Sequence, residues 1–169
     1  VALYAAGGVL QAVEAVMDRE VDSAFALVRP PGHHATYWQA MGFCLFNNVA
    51  IAAKYALTRH NLERVLIVDF DVHHGNGTQD AFFTGPHVLY FSTHQFPLYP
   101  GTGAESRGNC ENVPLPAGTA EDDFMRKLEP ALERLLSFKP DVLAVSAGFD
   151  TYREDPIAGL KLNQETYRR

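Results

Sequence analysis

The chain has 169 residues, 47% of them hydrophobic and 20% charged, a balance that suits one globular domain and excludes a disordered or fibrous segment. A formal net charge of -6 argues against a nucleic-acid binder, which would carry a basic stripe, and is compatible with a cationic substrate. Cys44 and Cys110 are the only cysteines and read as reduced thiols; no stretch resembles a signal peptide and no apolar run reaches the roughly 20 residues of a membrane span, so the expected setting is cytoplasmic or nuclear.

In chain order, Leu3, Leu10, Val13, Val16 and Met17 recur at near-helical spacing and predict an amphipathic helix from Leu3 to Asp18, softened by Gly7 and Gly8. Ser23 to Val28 is a candidate strand, ended by Arg29-Pro30-Pro31-Gly32, and His33 and His34 come directly afterwards. Asn47 or Asn48 is a cap for a helix carrying Ala50, Ile51, Ala53 and Leu57. Val65 to Val68 is an apolar β-branched run without alternation, as in a strand buried on both faces of a parallel sheet. Thr78 to Phe83 predicts a short helix, and Val88 to Ser92 a strand ending at Thr93-His94. A loop rich in Pro and Gly runs from Pro97 to Gly103, with irregular chain expected on through Asn112.

Thr119-x-x-Asp122 resembles a capping box before a helix carrying Phe124, Leu128, Leu132, Leu135 and Leu136, whose first turn is the acidic run Glu121-Asp122-Asp123 and whose end lies near Pro140. Val142 to Ala147 is the last predicted strand, with Gly148-Phe149-Asp150 directly after it. Alternating strands and helices imply an α/β fold in three layers, a parallel sheet flanked by helices, with ligands at the carboxyl ends of the strands. Neither repeat nor linker divides the chain.

The chemistry concentrates after Val68. With an extended backbone, Asp69, Asp71 and His73 point to one side and Phe70, Val72 and His74 to the other. Two carboxylates and an imidazole packed so closely call for a cation to keep both acids ionised. Asp71, His73 and Asp150 meet the three-ligand requirement of a catalytic zinc, with Asp69 and Asn76 placed to orient imidazoles. His33 and His34 then stand as base and acid for attack of water on a carbonyl. His60, His87 and His94 have no matching partner in sequence and receive no role, and Cys44 reads as a small buried hydrophobe.

The blocks R-P-P-G-H-H at Arg29 to His34, G-F-C at Gly42 to Cys44, D-F-D-V-H-H-G-N-G-T at Asp69 to Thr78, P-G-T-G at Pro100 to Gly103, and G-F-D with D-P between Gly148 and Pro156 together resemble the zinc-dependent histone deacetylase family. The Asn76 variant is most similar to its class II and bacterial deacetylase-like branch. This resemblance implies an arginase/deacetylase fold, zinc held by Asp71, His73 and Asp150, His34 as the main general base and acid paired with Asn76, and His33 as an electrostatic helper paired with Asp69. Phe43 and Tyr99 match the aromatic walls of an acyl-lysine tunnel, Gly42 offers its carbonyl to the substrate amide, and Ile157 aligns with a gatekeeper that is acidic in the polyamine-selective branch. A monovalent cation, potassium, is implied near Asp69, Asp71, His73 and Ser92.

Two departures accompany the resemblance. The family's transition-state tyrosine lies beyond the last strand of this chain, and its first strand and a rim aspartate precede Val1. Residues 1–169 are therefore expected to be one partial deacetylase-like catalytic domain, an internal fragment that binds zinc weakly and turns over poorly unless both ends are supplied, since losing an oxyanion donor costs on the order of a hundredfold or more in rate. The expected function is a zinc amidohydrolase removing acetyl or other acyl groups from lysine side chains of a protein or peptide. Its rivals are an acetylpolyamine or other small-amide hydrolase, a noncatalytic acyl-lysine binding fragment and, ranked low, an arginase-like dimanganese hydrolase, which needs more bridging carboxylates. Neither nucleic acid nor membrane is expected as a partner.

Overall fold

A computed structural model describes residues 1–169. Its centre is a four-stranded sheet in the order β3-β2-β1-β4, formed by β1 (Val65–Asp69), β2 (Val88–Gln95), β3 (Cys110–Leu115) and β4 (Val142–Ser146). All three pairings are parallel. Helices α1 (Ala2–Met17), α2 (Asn48–Arg59), α3 (Asn76–Phe82) and α4 (Glu121–Phe138) surround it, and a 3-10 turn spans Thr166–Arg168.

Two apolar layers sandwich the sheet. On one face Ala50, Ala53 and Ala56 of α2 and Phe82 of α3 pack against Val65, Ile67, Val88 and Tyr90. On the other, Ala131 and Leu135 of α4 meet Leu66, Leu89 and Phe91. Adjacent residues of β1 and β2 thus serve opposite cores, which is why both strands read as unbroken apolar runs. The small α2 residues let that helix lie close on the sheet. Asn47 caps α2, its side chain accepting the Ala50 N–H at 3.0 Å.

Several expected elements are corrected. Ser23 to Val28 is not a strand: it pairs with nothing, and Phe25 and Leu27 are exposed. The stretch read as irregular through Asn112 instead contains β3 from Cys110. Pro114 disguised that strand, and its place at the sheet edge is where proline is tolerated. Strand β2 runs three residues past Ser92, and α3 starts two residues before Thr78. The expected capping box is absent: the N-cap of α4 is Ala120, and the Thr119 hydroxyl donates instead to the Pro116 carbonyl at 2.7 Å. Leu132 and Leu136 of α4 are exposed, because the buried stripe runs through Phe124, Leu128, Ala131 and Leu135. No helix is long and apolar enough to cross a membrane.

Candidate functional site

Strand β1 ends at Asp69, and the segment from Phe70 to Val72 is held by the two neighbouring strands. Phe70 N–H donates to the Ser146 carbonyl at 3.3 Å, continuing the β4 ladder by one step, and Gln95 N–H donates to the Val72 carbonyl at 2.8 Å. Between them the N–H of Val72 donates to Oδ1 of Asp150 at 2.9 Å. The acid after β4 therefore caps the chain after β1, and both strand ends open on the same space. Val72 turns inward, fully buried among Leu115, Phe124, Leu160 and Leu162. Asp71 and His73 turn to the other side, half-buried, as the two-residue alternation predicts.

The ligand atoms of Asp71, His73 and Asp150 all lie within 4.8 Å of one another. Nδ1 of His73 is 2.9 Å from Asp71 Oδ1 and 3.1 Å from Asp150 Oδ2. The His73 backbone N–H donates to the same Asp71 oxygen at 2.8 Å. Gly148 permits this approach, since a Cβ there would sit 2.5 Å from Asp71 Cγ. The hydrogen bond to Asp150 and then that to Asp71 raise His73 to about 10. Burial pushes Asp71 up, but hydrogen bonding to His73 and the charge of His33 carry it below the usual carboxylate range. Two acids sharing one positive charge is the situation a divalent cation resolves, and one imidazole with two carboxylates is a donor set that suits zinc.

His33 and His34 come from a loop rather than from a strand end, which corrects the expectation that every polar group of the crevice sits after a strand. The N-terminus of α3 anchors the loop: Gly77 and Thr78 N–H donate to the His33 carbonyl at 3.0 and 3.1 Å. His33 Nδ1 donates to Asp69 Oδ2 at 2.9 Å, and its Nε2 is 3.9 Å from Asp71 Oδ1. His34 Nδ1 donates to Asn76 Oδ1 at 2.8 Å. The two rings are 4.1 Å apart, and His34 is 5.9 Å from His73, centroid to centroid.

Electrostatically the pair splits. Burial pulls His33 down, but the charge and hydrogen bond of Asp69 outweigh it and leave His33 raised to about 9. Burial and then the neighbouring charge of His33 lower His34 to about 4. At neutral pH the first imidazole is a cation and the second is a neutral base with Nε2 free.

The other residues expected at the site occupy varied positions. Tyr99 lies edge-on to His34 at 5.1 Å and to His73 at 6.3 Å. Phe43, at φ 63°, is 93% exposed and makes no ring contact with Tyr99. Gly42, at φ 55°, packs against the His34 ring, and its carbonyl accepts from Cys44 Sγ at 3.3 Å. Cys44 is buried, as expected, and burial pushes its thiol up. Ser92 is Asp69's partner in the sheet register and is fully buried, 2.9 Å from His94 Nδ1. Ile157 is exposed on a turn where Asp155 Oδ1 accepts its N–H at 2.9 Å. A cavity of about 890 Å³ between Tyr37, Trp38, α2 and α3 has none of the triad in its walls.

Sequence reasoning missed three residues. His94, given no role, donates from Nε2 to the Gly103 carbonyl at 3.0 Å, and His74 Nδ1 lies 2.7 Å from the Thr102 hydroxyl. Their rings, 4.7 Å apart, bolt the P-G-T-G loop that carries Tyr99 to the strand ends. The alternation from Ser92 to His94 was a usable signal. Tyr90, inside an apolar run, had none.

The histone deacetylase domain family matches residues 1–169. A probable deacetylase of Archaeoglobus fulgidus is 44% identical over 98% of this chain and 48% of its own length. Among solved structures, the HD domain of HDA15 superposes with a TM-score of 0.89 at 42% identity, over 96% of this chain and 51% of that one. An acetylpolyamine aminohydrolase from Burkholderia pseudomallei gives 0.87 at 40% identity, over 95% and 49%. The chain thus spans about half the length of such relatives, with the three-layer arginase/deacetylase fold common to these structures. With the family match running from the first residue to the last, the chain belongs to the histone deacetylase family.

Proposed function

We propose that residues 1–169 carry the metal- and histidine-bearing part of a zinc-dependent amidohydrolase, a single partial catalytic domain that removes acyl groups from lysine side chains. The observation that carries this reading is the meeting of Asp71, His73 and Asp150 within 4.8 Å, beside an imidazole pair whose two members have separate partners. These three residues would hold the ion. When bound, it polarises the amide carbonyl and makes water a nucleophile near neutral pH.

The chain's own residues supply the rest. His34 is neutral, keeps its Nδ1 proton on Asn76 and exposes Nε2, so it accepts the proton of the attacking water and later delivers one to the leaving amine. His33, held positive by Asp69, stabilises the negative charge that develops on the substrate oxygen. Tyr99 offers an aromatic wall to an aliphatic lysine stem, with Phe43 opposite and the Gly42 carbonyl available to the substrate amide. A potassium ion beside Asp69, Asp71, His73 and Ser92 would add structural charge under the site, a placement supported by the Asp69–Ser92 register. A cytoplasmic setting goes with this reading.

The acetylpolyamine reading is the second one, favoured by the 40% identity to an aminohydrolase of that kind. Ile157 weighs against it, because an apolar rim residue gives a polyamine cation no counter-charge. Zinc titration and then turnover of an acetyl-lysine peptide and of acetylspermidine, each with the 169-residue chain and with a version extended at both ends, is the test. Faster peptide turnover by the zinc-loaded extended protein is expected. Faster acetylspermidine turnover would favour the second reading, tight acyl-lysine binding without hydrolysis by either version would leave a binding module, and failure of the extended protein to bind zinc would overturn both hydrolase readings.

A further inference from the structure

Asp69 is fully buried and receives three donors. Its Oδ1 accepts the Asp71 N–H at 3.2 Å, and its Oδ2 accepts His33 Nδ1–H at 2.9 Å and the Tyr90 hydroxyl at 3.1 Å. Tyr90 is itself fully buried and belongs to β2, where it faces Ile67 of β1, two residues before Asp69. Burial and then the charge of Asp69 hold its phenol well above the ordinary value, so it remains a donor. The corner leaves little room for a water to replace it: a Cβ on Gly75 would stand 2.5 Å from Asp69 Oδ2 and 3.2 Å from His33 Nδ1.

We propose that Tyr90 is a positioning residue of the His33–Asp69 pair, its hydroxyl fixing the rotation of the Asp69 carboxylate and, through it, the ring of His33 beside Asp71. A carboxylate held by one oxygen on a backbone N–H at 3.2 Å can still move its other oxygen by coupled rotation about the Cα–Cβ and Cβ–Cγ bonds. The second donor on Oδ2 stops that swing, and it comes from a rigid strand rather than from the loop that carries His33. The catalytic value of this lock rests on the hydrolase reading above; the lock itself does not.

The test is Tyr90→Phe, which keeps the ring in the core and removes only the hydroxyl. In the ¹⁵N-histidine-labelled chain, the Nδ1 proton of His33 is expected as a slowly exchanging resonance. Tyr90→Phe is expected to speed its exchange about tenfold or more, as for losing a hydrogen bond to a charged group, while the backbone amide of Ile67 keeps its rate. On the zinc-loaded extended protein, kcat for an acetyl-lysine peptide falls by a similar factor with KM within about twofold. An unchanged His33 proton overturns the proposal, as does exchange that accelerates in step with Ile67, or a wild type without the protected proton. Loss of turnover in the wild type as well, with the exchange difference intact, counts against the hydrolase reading and not against Tyr90.

Discussion

His34 donates its Nδ1 proton to the amide oxygen of Asn76 at 2.8 Å, whereas its neighbour His33 gives the corresponding proton to a carboxylate. The amide carries no charge, and burial and then the His33 charge lower His34 to about 4. In Asn76→Asp a carboxylate would favour the imidazolium, by roughly 1–3 pH units for a partner at this distance. In the zinc-loaded protein extended at both ends, the acid limb of kcat/KM is expected to shift up by that amount, so that turnover on the proposed reading falls off at a higher pH. Histidine NMR titration of His34 checks the same shift without turnover.

Metal binding should be visible as stability. At zinc one hundred times its Kd, linkage adds about 2.7 kcal/mol, worth roughly 5–10 °C in melting temperature for a chain of this size. Asp150→Ala removes one donor of the triad and the cap on the Val72 N–H. It is expected to abolish the zinc-induced rise and also to lower the metal-free midpoint. Thermal scans with zinc and with chelator separate the two effects.

Gly42 has φ 55°, and a Cβ there would sit 2.7 Å from Cγ of His34. Gly42→Ala combines left-handed strain with displacement of the His34 ring, for a cost on the order of 1–3 kcal/mol. A urea midpoint lowered accordingly, together with a larger loss in kcat than in KM, is the expected pair of results. An unchanged midpoint would contradict the packing of Gly42 on His34.

His94 gives a stability effect with a definite sign. Burial lowers it to about 4, only partly offset by the Gly103 carbonyl, so the folded state favours the neutral ring. Its contribution is fully present above the unfolded value near 6.5 and is lost as pH falls from there toward 4, up to about 3 kcal/mol in total. Urea unfolding from pH 8 to pH 4 should show the decline, and His94→Asn should flatten its slope by up to one proton.

The cluster of Asp71, His73 and Asp150 was legible as a candidate metal site because its chemistry contradicts its setting. Carboxylates and an imidazole directly after Val65 to Val68 have no business at the end of a doubly buried strand unless a charge gathers them. The false strand at Ser23 to Val28 and the hidden β3 share one cause: β-propensity describes how residues fit a neighbouring strand, and no local pattern supplies the neighbour. Pro114 was decisive only once its position at the sheet edge was known. His94 and Tyr90 show the same limit within a true strand, since every residue of β2 is buried and polarity alone does not say which hydroxyl or imidazole finds a partner.

The amino-acid order by itself determined the parallel α/β class and the family likeness and singled out candidate residues for the site, because these rest on periodicity and on ordered blocks that survive without a fold. Only the tertiary structure decided which of them act together. Asp150 reaches Val72 and His73 across 78 and 77 positions of chain, and Tyr90 reaches Asp69 across two strands. Asp69 then makes His33 a cation against its burial, while burial and the His33 charge keep His34 neutral, from identical side chains, because a pKa answers to its surroundings and not to its place in the sequence.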